Sequence, residues 1–75
     1  MNREVMIDRF LAKTDDGKIY TIIEYQEYIS VATLKQPNAE KAGLKRWATS
    51  TGLFVNQLDS KTFQIVQTDE VVRKL

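Results

Sequence analysis

The stretch KRWATSTGLFVNQLDSKTFQIV (Lys45–Val66) decides the fold, because two turn signals divide it into three short strand-like runs. At Ser50-Thr51-Gly52 the glycine can take the positive φ that closes a tight hairpin, and Asp59-Ser60-Lys61 supplies local side-chain-to-backbone hydrogen bonding for a second reversal. Between and around the turns stand Trp47, Leu53, Phe54, Val55, Leu58, Phe63, Ile65 and Val66. These are the residue types that fit a pleated, half-buried surface, and no proline interrupts them. The expectation is a β-meander.

Working back toward the start, Thr14-Asp15-Asp16-Gly17-Lys18 is a third hairpin signal. It suits either a type I′ turn at Asp-Gly or a type I turn with a bulge, and it requires a strand on each side. Arg9–Thr14 is therefore expected to be extended. Residues before Arg9 read two ways: Met6, Ile7, Phe10 and Leu11 would share one helical face, so a helical or frayed start is the alternative. After the turn, Lys18–Ser30 (KIYTIIEYQEYIS) is the longest strand candidate. Its apolar residues fall on both faces, which predicts a bent or bulged strand passing from one part of a small barrel to another.

Val31–Gly43 differs in character. Pro37 cannot sit in a central strand, Asn38 is a favourable helix N-cap, and Ala39-Glu40-Lys41-Ala42 is compatible with one helical turn ended by Gly43. At the other end, Val71–Leu75 alternates weakly, and Arg73 and Lys74 suit a charged edge strand. The fold expected is a single mainly β domain over residues 1–75, with five or six short antiparallel strands as a meander or partly closed barrel and one helical turn near Asn38–Ala42. An α+β arrangement with a helical N-terminus is the alternative.

Composition narrows function by exclusion. The 75 residues include no cysteine and no histidine, which removes disulfide staples, thiolate or imidazole metal ligands, and the Ser-His and Cys-His nucleophile systems. Asp15-Asp16 is the obvious carboxylate pair, but adjacent residues in a hairpin turn are solvated, and a turn role is the expectation. Setting Gly17 at the sixth position of a calcium loop puts Ala12 first and Ile23 twelfth, where ligands are required, so that motif fails. Gly17, Gly43 and Gly52 build no phosphate-binding loop. No enzyme, cofactor or metal is expected. With 11 basic and 10 acidic residues the net charge is +1, too small for strong non-specific attraction to nucleic acid or anionic lipid. Met1–Leu34 carries four basic and six acidic residues and Lys35–Leu75 seven and four, an asymmetry too small to assign a partner. The start meets an acidic residue at Glu4 and lacks a long apolar run, so no leader or membrane anchor is expected, and the cytoplasm is the default location.

Two binding classes remain. Lys45-Arg46-Trp47, preceded by Lys35 and Lys41, is the densest basic cluster and the candidate nucleic-acid site: cations for phosphates and an aromatic for stacking. Against it stands strand alternation, which would send Trp47 to the core and separate Arg46 from Lys45. The favoured class is a non-enzymatic module for a protein partner or a second copy of itself, through a sheet edge or an exposed apolar patch.

Phe10–Lys18 (FLAKTDDGK), Tyr20-Thr21-Ile22, Tyr25-Gln26, Gly43-Leu44-Lys45-Arg46, Thr49-Ser50, Gly52, Val55-Asn56, Asp59 and Thr62–Val66 together resemble a group of short bacterial, proteobacterial-type proteins of unknown function. The likeness spans roughly Phe10–Thr68. It implies a bacterial, cytoplasmic, single-domain protein and brings no catalytic or binding residue with it.

Overall fold

A computed structural model describes residues 2–75. Six antiparallel strands follow one another in chain order round a closed barrel: β1 (Arg3–Lys13), β2 (Ile19–Ser30), β3 (Glu40–Thr49), β4 (Phe54–Gln57), β5 (Thr62–Ile65) and β6 (Glu70–Lys74). The ring closes where β6 meets β1 through Ala12↔Lys74 and Lys13↔Arg73. Full closure removes the sheet edges at that level, which is how so short a chain encloses a core.

Alternation fills the interior. Ala12, Ile22, Val55, Phe63, Ile65 and Val72 form the buried cluster, with Phe10, Tyr20, Trp47 and Leu53 packed against it. Phe63 is the centre, its ring 5.1 Å from that of Phe10 and 5.9 Å from that of Trp47. With no cysteine to form a disulfide, this burial is the main source of stability.

Two of the turns are built alike. At Thr14–Lys18 the Gly17 amide donates to the Thr14 carbonyl (3.1 Å) and the Thr14 amide to the Lys18 carbonyl (2.8 Å). At Thr49–Leu53 the corresponding bonds are Gly52 to Thr49 (3.0 Å) and Thr49 to Leu53 (2.8 Å). Both glycines have φ of 96°, a left-handed conformation that a Cβ would strain. Each buried threonine hydroxyl also accepts from the backbone amide four residues on, Lys18 at 2.9 Å and Leu53 at 3.0 Å. The geometry is the type I turn with a bulge, one of the two forms expected at Asp15-Asp16-Gly17.

β1, β2 and β3 outrun the barrel. β4 pairs with β3 only at Trp47 and Ala48, and β6 pairs with β1 only at Ala12 and Lys13, with the Leu75 amide donating to the Leu11 carbonyl just beyond (2.9 Å), so the parts of the three long strands past these rows form a projecting arm. The molecule measures 55 × 20 × 16 Å, and its radius of gyration is 15.3 Å. A compact chain of this length would have about 11 Å.

The expected helical turn at Asn38–Ala42 is not present, and there is no helix among the described residues. Ala39 donates to the Gln36 carbonyl in a turn, and Val31 donates to the Ala39 carbonyl (3.0 Å) to close the loop. Glu40, Lys41 and Ala42 then pair with Ser30, Ile29 and Tyr28. A single helical turn fixes many dihedrals for one hydrogen bond, and pairing onto β2 offers each residue more. The helical N-terminus is corrected too: Arg3–Lys13 is one strand. Its misleading helical spacing comes from a bulge. Met6 pairs with Tyr25 and Asp8 with Glu24, so Ile7 is one residue in excess and the apolar positions shift phase around it. Met1, the first residue of that segment, lies outside the described residues.

β2, expected to be bent or bulged and to pass from one part of the barrel to another, runs instead from the barrel into the arm, and the bulges lie on its neighbours. Tyr28↔Ala42 and Gln26↔Lys45 leave the second extra residue in β3, at Gly43-Leu44.

Candidate interaction surfaces

Cross-strand pairing sorts the side chains into two faces. Phe10, Ile22, Trp47 and Val55 point into the barrel, and continuing that row along the arm places Asp8, Glu24, Gln26, Tyr28, Ala42 and Lys45 on the same side, the inner face. The intervening residues point out. One outer row crosses four strands as Arg9, Ile23, Ala48 and Phe54, and the next runs Met6, Tyr25, Arg46.

Charges on the inner face are satisfied within the chain. Lys45 Nζ lies 3.2 Å from Glu24, Arg3 Nε donates to Glu40 at 3.0 Å, and Lys74 Nζ sits 3.9 Å from Asp8 and 4.6 Å above the Phe10 ring. The hydrogen bond to Glu40 raises the Arg3 pKa, so this cation stays charged at any working pH. Gln26, buried in the same row, donates to the carbonyls of Glu27 and Gly43 at 3.0 Å each and so fastens the β3 bulge.

The outer face is different. Arg46 does have a partner: it donates to both Glu4 oxygens, at 2.6 and 2.7 Å, and stacks 4.3 Å over Tyr25. The guanidinium's hydrogen bond holds the Glu4 carboxyl below its ordinary range. Arg9, Lys13 and Lys41 face the same way and make no ion pair within 4.0 Å among the described residues. Around them the apolar side chains are open: Met6 is 56%, Leu11 48%, Ile19 55% and Phe54 60% exposed. Ala48 is buried to 6% although it points outward and lies outside the core cluster. Its outer-row neighbours Ile23 and Phe54 flank it, and a shallow open depression of about 370 Å³ lies beside them, lined by Arg9, Phe10, Leu11 and Thr21.

Both free sheet edges are interrupted. On β1 the Ile7 bulge is followed by Arg9, whose amide is occupied by the Asp8 carboxylate at 2.8 Å. On β3 the Gly43-Leu44 bulge breaks the regular row of backbone groups. Strand addition by a partner is opposed at both places.

The residues singled out from sequence are dispersed. Lys35 is in the loop between β2 and β3. Lys41 and Arg46 lie on the outer face, Lys45 and Trp47 on the inner, and Trp47 packs on Phe63. Arg9, Lys13, Leu11, Ile19 and Phe54, which dominate the open face, carry no local motif. The signal for them is the alternation itself once the phase of β1 is known.

One polar cluster lies at the turn end of the barrel. The Tyr20 hydroxyl donates to Glu70, and Lys18 Nζ approaches the same carboxylate at 3.7 Å. The tyrosine hydrogen bond is the main reason the Glu70 carboxyl titrates below its ordinary range. An acid held ionised in this way is a poor proton donor and a weakened base, so the cluster ties two turns together and offers little catalysis. No group of three or more acidic side chains able to hold a metal occurs among the described residues, and no helix among them is long and apolar enough to cross a membrane.

In comparisons with known proteins, no protein-family model matches the chain. No curated protein and no solved structure matches it either.

Proposed function

We propose that this chain is a small non-enzymatic interaction module of the bacterial cytoplasm that binds another protein through the outer face of its sheet. The observation that carries the reading is the open outer face. Met6, Leu11, Ile19 and Phe54 stand about half exposed on one side of the sheet, while the inner side is filled by the core and its own ion pairs. Isolated exposed apolar residues are ordinary, whereas a set gathered on one face of a small domain marks a contact surface. The blunted edges favour docking on the face over strand addition.

Nucleic-acid binding through Lys35, Lys41, Lys45, Arg46 and Trp47 finds less support. Lys45 and Arg46 already hold carboxylate partners, and the Trp47 ring is used in packing. The test is a photo-activatable side chain placed at Thr21, on the outer face beside the depression, or at Ala42, exposed on the inner row. In the cell that makes the protein, adducts from position 21 and none from position 42 support the reading. An absence of adducts from both positions ends it.

A further inference from the structure

We infer that the outer face across the seam of β6, β1 and β2 takes an acidic amphipathic helix of a partner protein. This rests on the face-docking reading above and adds the chemistry of the occupant.

Charge complementarity carries it. β1 presents Arg9, Leu11 and Lys13 outward in succession, basic, apolar, basic, and β2 sets Ile19, Thr21 and Ile23 beside them. Lys13 then faces Arg73 directly across the closing seam, both pointing away from the buried Ala12 and Val72. Like charges directly opposite on neighbouring strands repel. Arg73 gains partial relief from Asp15 at 3.8 Å, but Arg9 and Lys13 have no carboxylate within 4.0 Å among the described residues. The other nearby acid, Asp16, accepts from the Thr14 hydroxyl. Elsewhere in the molecule Arg3, Lys18, Lys45, Arg46 and Lys74 each have an acidic neighbour. Lys35, Lys41 and Lys61 also make no ion pair among the described residues, but they lie in loops or on β3; the seam is where several such cations stand beside open apolar side chains. It is also poorly suited to a second copy docked face to face, since the two basic rows would confront each other.

The geometry favours a helix. Edge pairing is opposed by the bulges, and a helix laid on a sheet is the usual cover for a sheet face. Four residues of strand separate Arg9 from Lys13, roughly 13 Å, a span met by about nine residues of helix. Carboxylates two to three turns apart would meet the two cations while the intervening leucine-like residues settle on Leu11, Ile19 and Ile23.

The test titrates the labelled full chain with an amphipathic helical peptide of leucine and glutamate. A leucine and lysine counterpart and a single-stranded oligothymidylate serve as comparisons. The expected result is perturbation of amides in Arg9–Lys13, Ile19–Ile23 and Arg73 by the acidic peptide, with affinity about tenfold above that of the basic one. Arg9→Glu combined with Lys13→Glu should remove that advantage. The variant keeps its fold, because Lys13→Glu places opposite charges across the seam, whereas Lys41→Glu on the arm should bind as the parent does. Equal affinity for the two peptides, perturbations confined to the inner row, or tighter binding of the oligonucleotide at these residues would overturn the inference. Adducts from position 21 alongside any of those results would leave the docking reading standing and reject only the acidic helix.

Discussion

The barrel and the arm share three strands, β1, β2 and β3, yet are held by different forces. In the barrel, β1, β2 and β3 bury Ala12, Ile22 and the packed face of Trp47 around Phe63. Beyond it the same strands bury no apolar side chain fully, only Gln26 among the described residues, and they are held by the ladder, the Arg46–Glu4 and Arg3–Glu40 pairs, and cation–ring contacts at 4.3 and 4.9 Å. Exposed ion pairs contribute little in water. Backbone pairing can thus continue past the core for several residues, but its local stability should fall off where the core ends.

The sharpest test of that difference is a pair of truncations. Phe63→Ala removes the fully enclosed centre of the barrel and should cost about 3–5 kcal/mol, a large part of the roughly 4–11 kcal/mol open to a chain of this size. Leu44→Ala in the arm, at a side chain 83% exposed, should change stability by less than about 0.5 kcal/mol. Urea unfolding of the two variants checks both, and equal losses would erase the distinction.

Hydrogen exchange examines it without mutation. Amides of Val5, Tyr28 and Ala42 should open with free energies at least about 2 kcal/mol below those of Ile22, Phe63 and Val72. Uniform protection along β2 would mean that arm and barrel are one cooperative unit.

A third test concerns the barrel's turns. Gly17→Ala and Gly52→Ala should each cost about 1–2 kcal/mol, because both positions have positive φ. The two losses should agree closely if the turns are equivalent. Gly43→Ala in the arm is a useful contrast. Its new methyl would meet first the Glu27 carboxylate at 2.7 Å and then Ile29 at 2.9 and 3.1 Å, side chains that must shift while the backbone stays unstrained.

The smallest effect expected is in pH dependence. Glu70 has a depressed pKa in the folded barrel, first through the Tyr20 hydroxyl. Its contribution to stability is therefore complete above the unfolded-state pKa and is lost as the pH falls through the lower folded value. Glu70→Gln should flatten the acid limb of a plot of urea midpoint against pH. An unchanged limb would mean that Tyr20 and Glu70 do not join the turns in solution.

Much of the barrel could be read from sequence because glycine and alternation report local physics directly. Gly17 and Gly52 mark turns that only a residue free of Cβ fills without strain, and Phe63, Ile65 and Val72 keep strict period two. The helical turn expected at Asn38–Ala42 fails because local propensity, adequate there, carries no information about a long β2 waiting to pair. The start of β1 was ambiguous for another reason: a bulge at Ile7 converts period two into spacings that imitate a helix. The candidate basic cluster was contiguous in sequence, and the pleat divides it, sending Lys45 to Glu24 and Arg46 to Glu4. The open face is assembled from β1, β2 and β4, and its members become neighbours only once the register is set.

The two bulges can also be regarded as single-residue insertions. Omitting Ile7 would leave Met6 opposite Tyr25 and Asp8 opposite Glu24 as consecutive rungs, and omitting one residue at Gly43-Leu44 would do the same between Tyr28 and Gln26. Each deletion preserves the side of the sheet that every other residue faces, and omitting Leu44 rather than Gly43 keeps the carbonyl that buried Gln26 bonds. What a deletion creates is an unbroken rim of backbone donors and acceptors along the arm, open to the rim of another molecule. The chain keeps one surplus residue in each outer strand, and the shortened forms should be the ones that come out of solution.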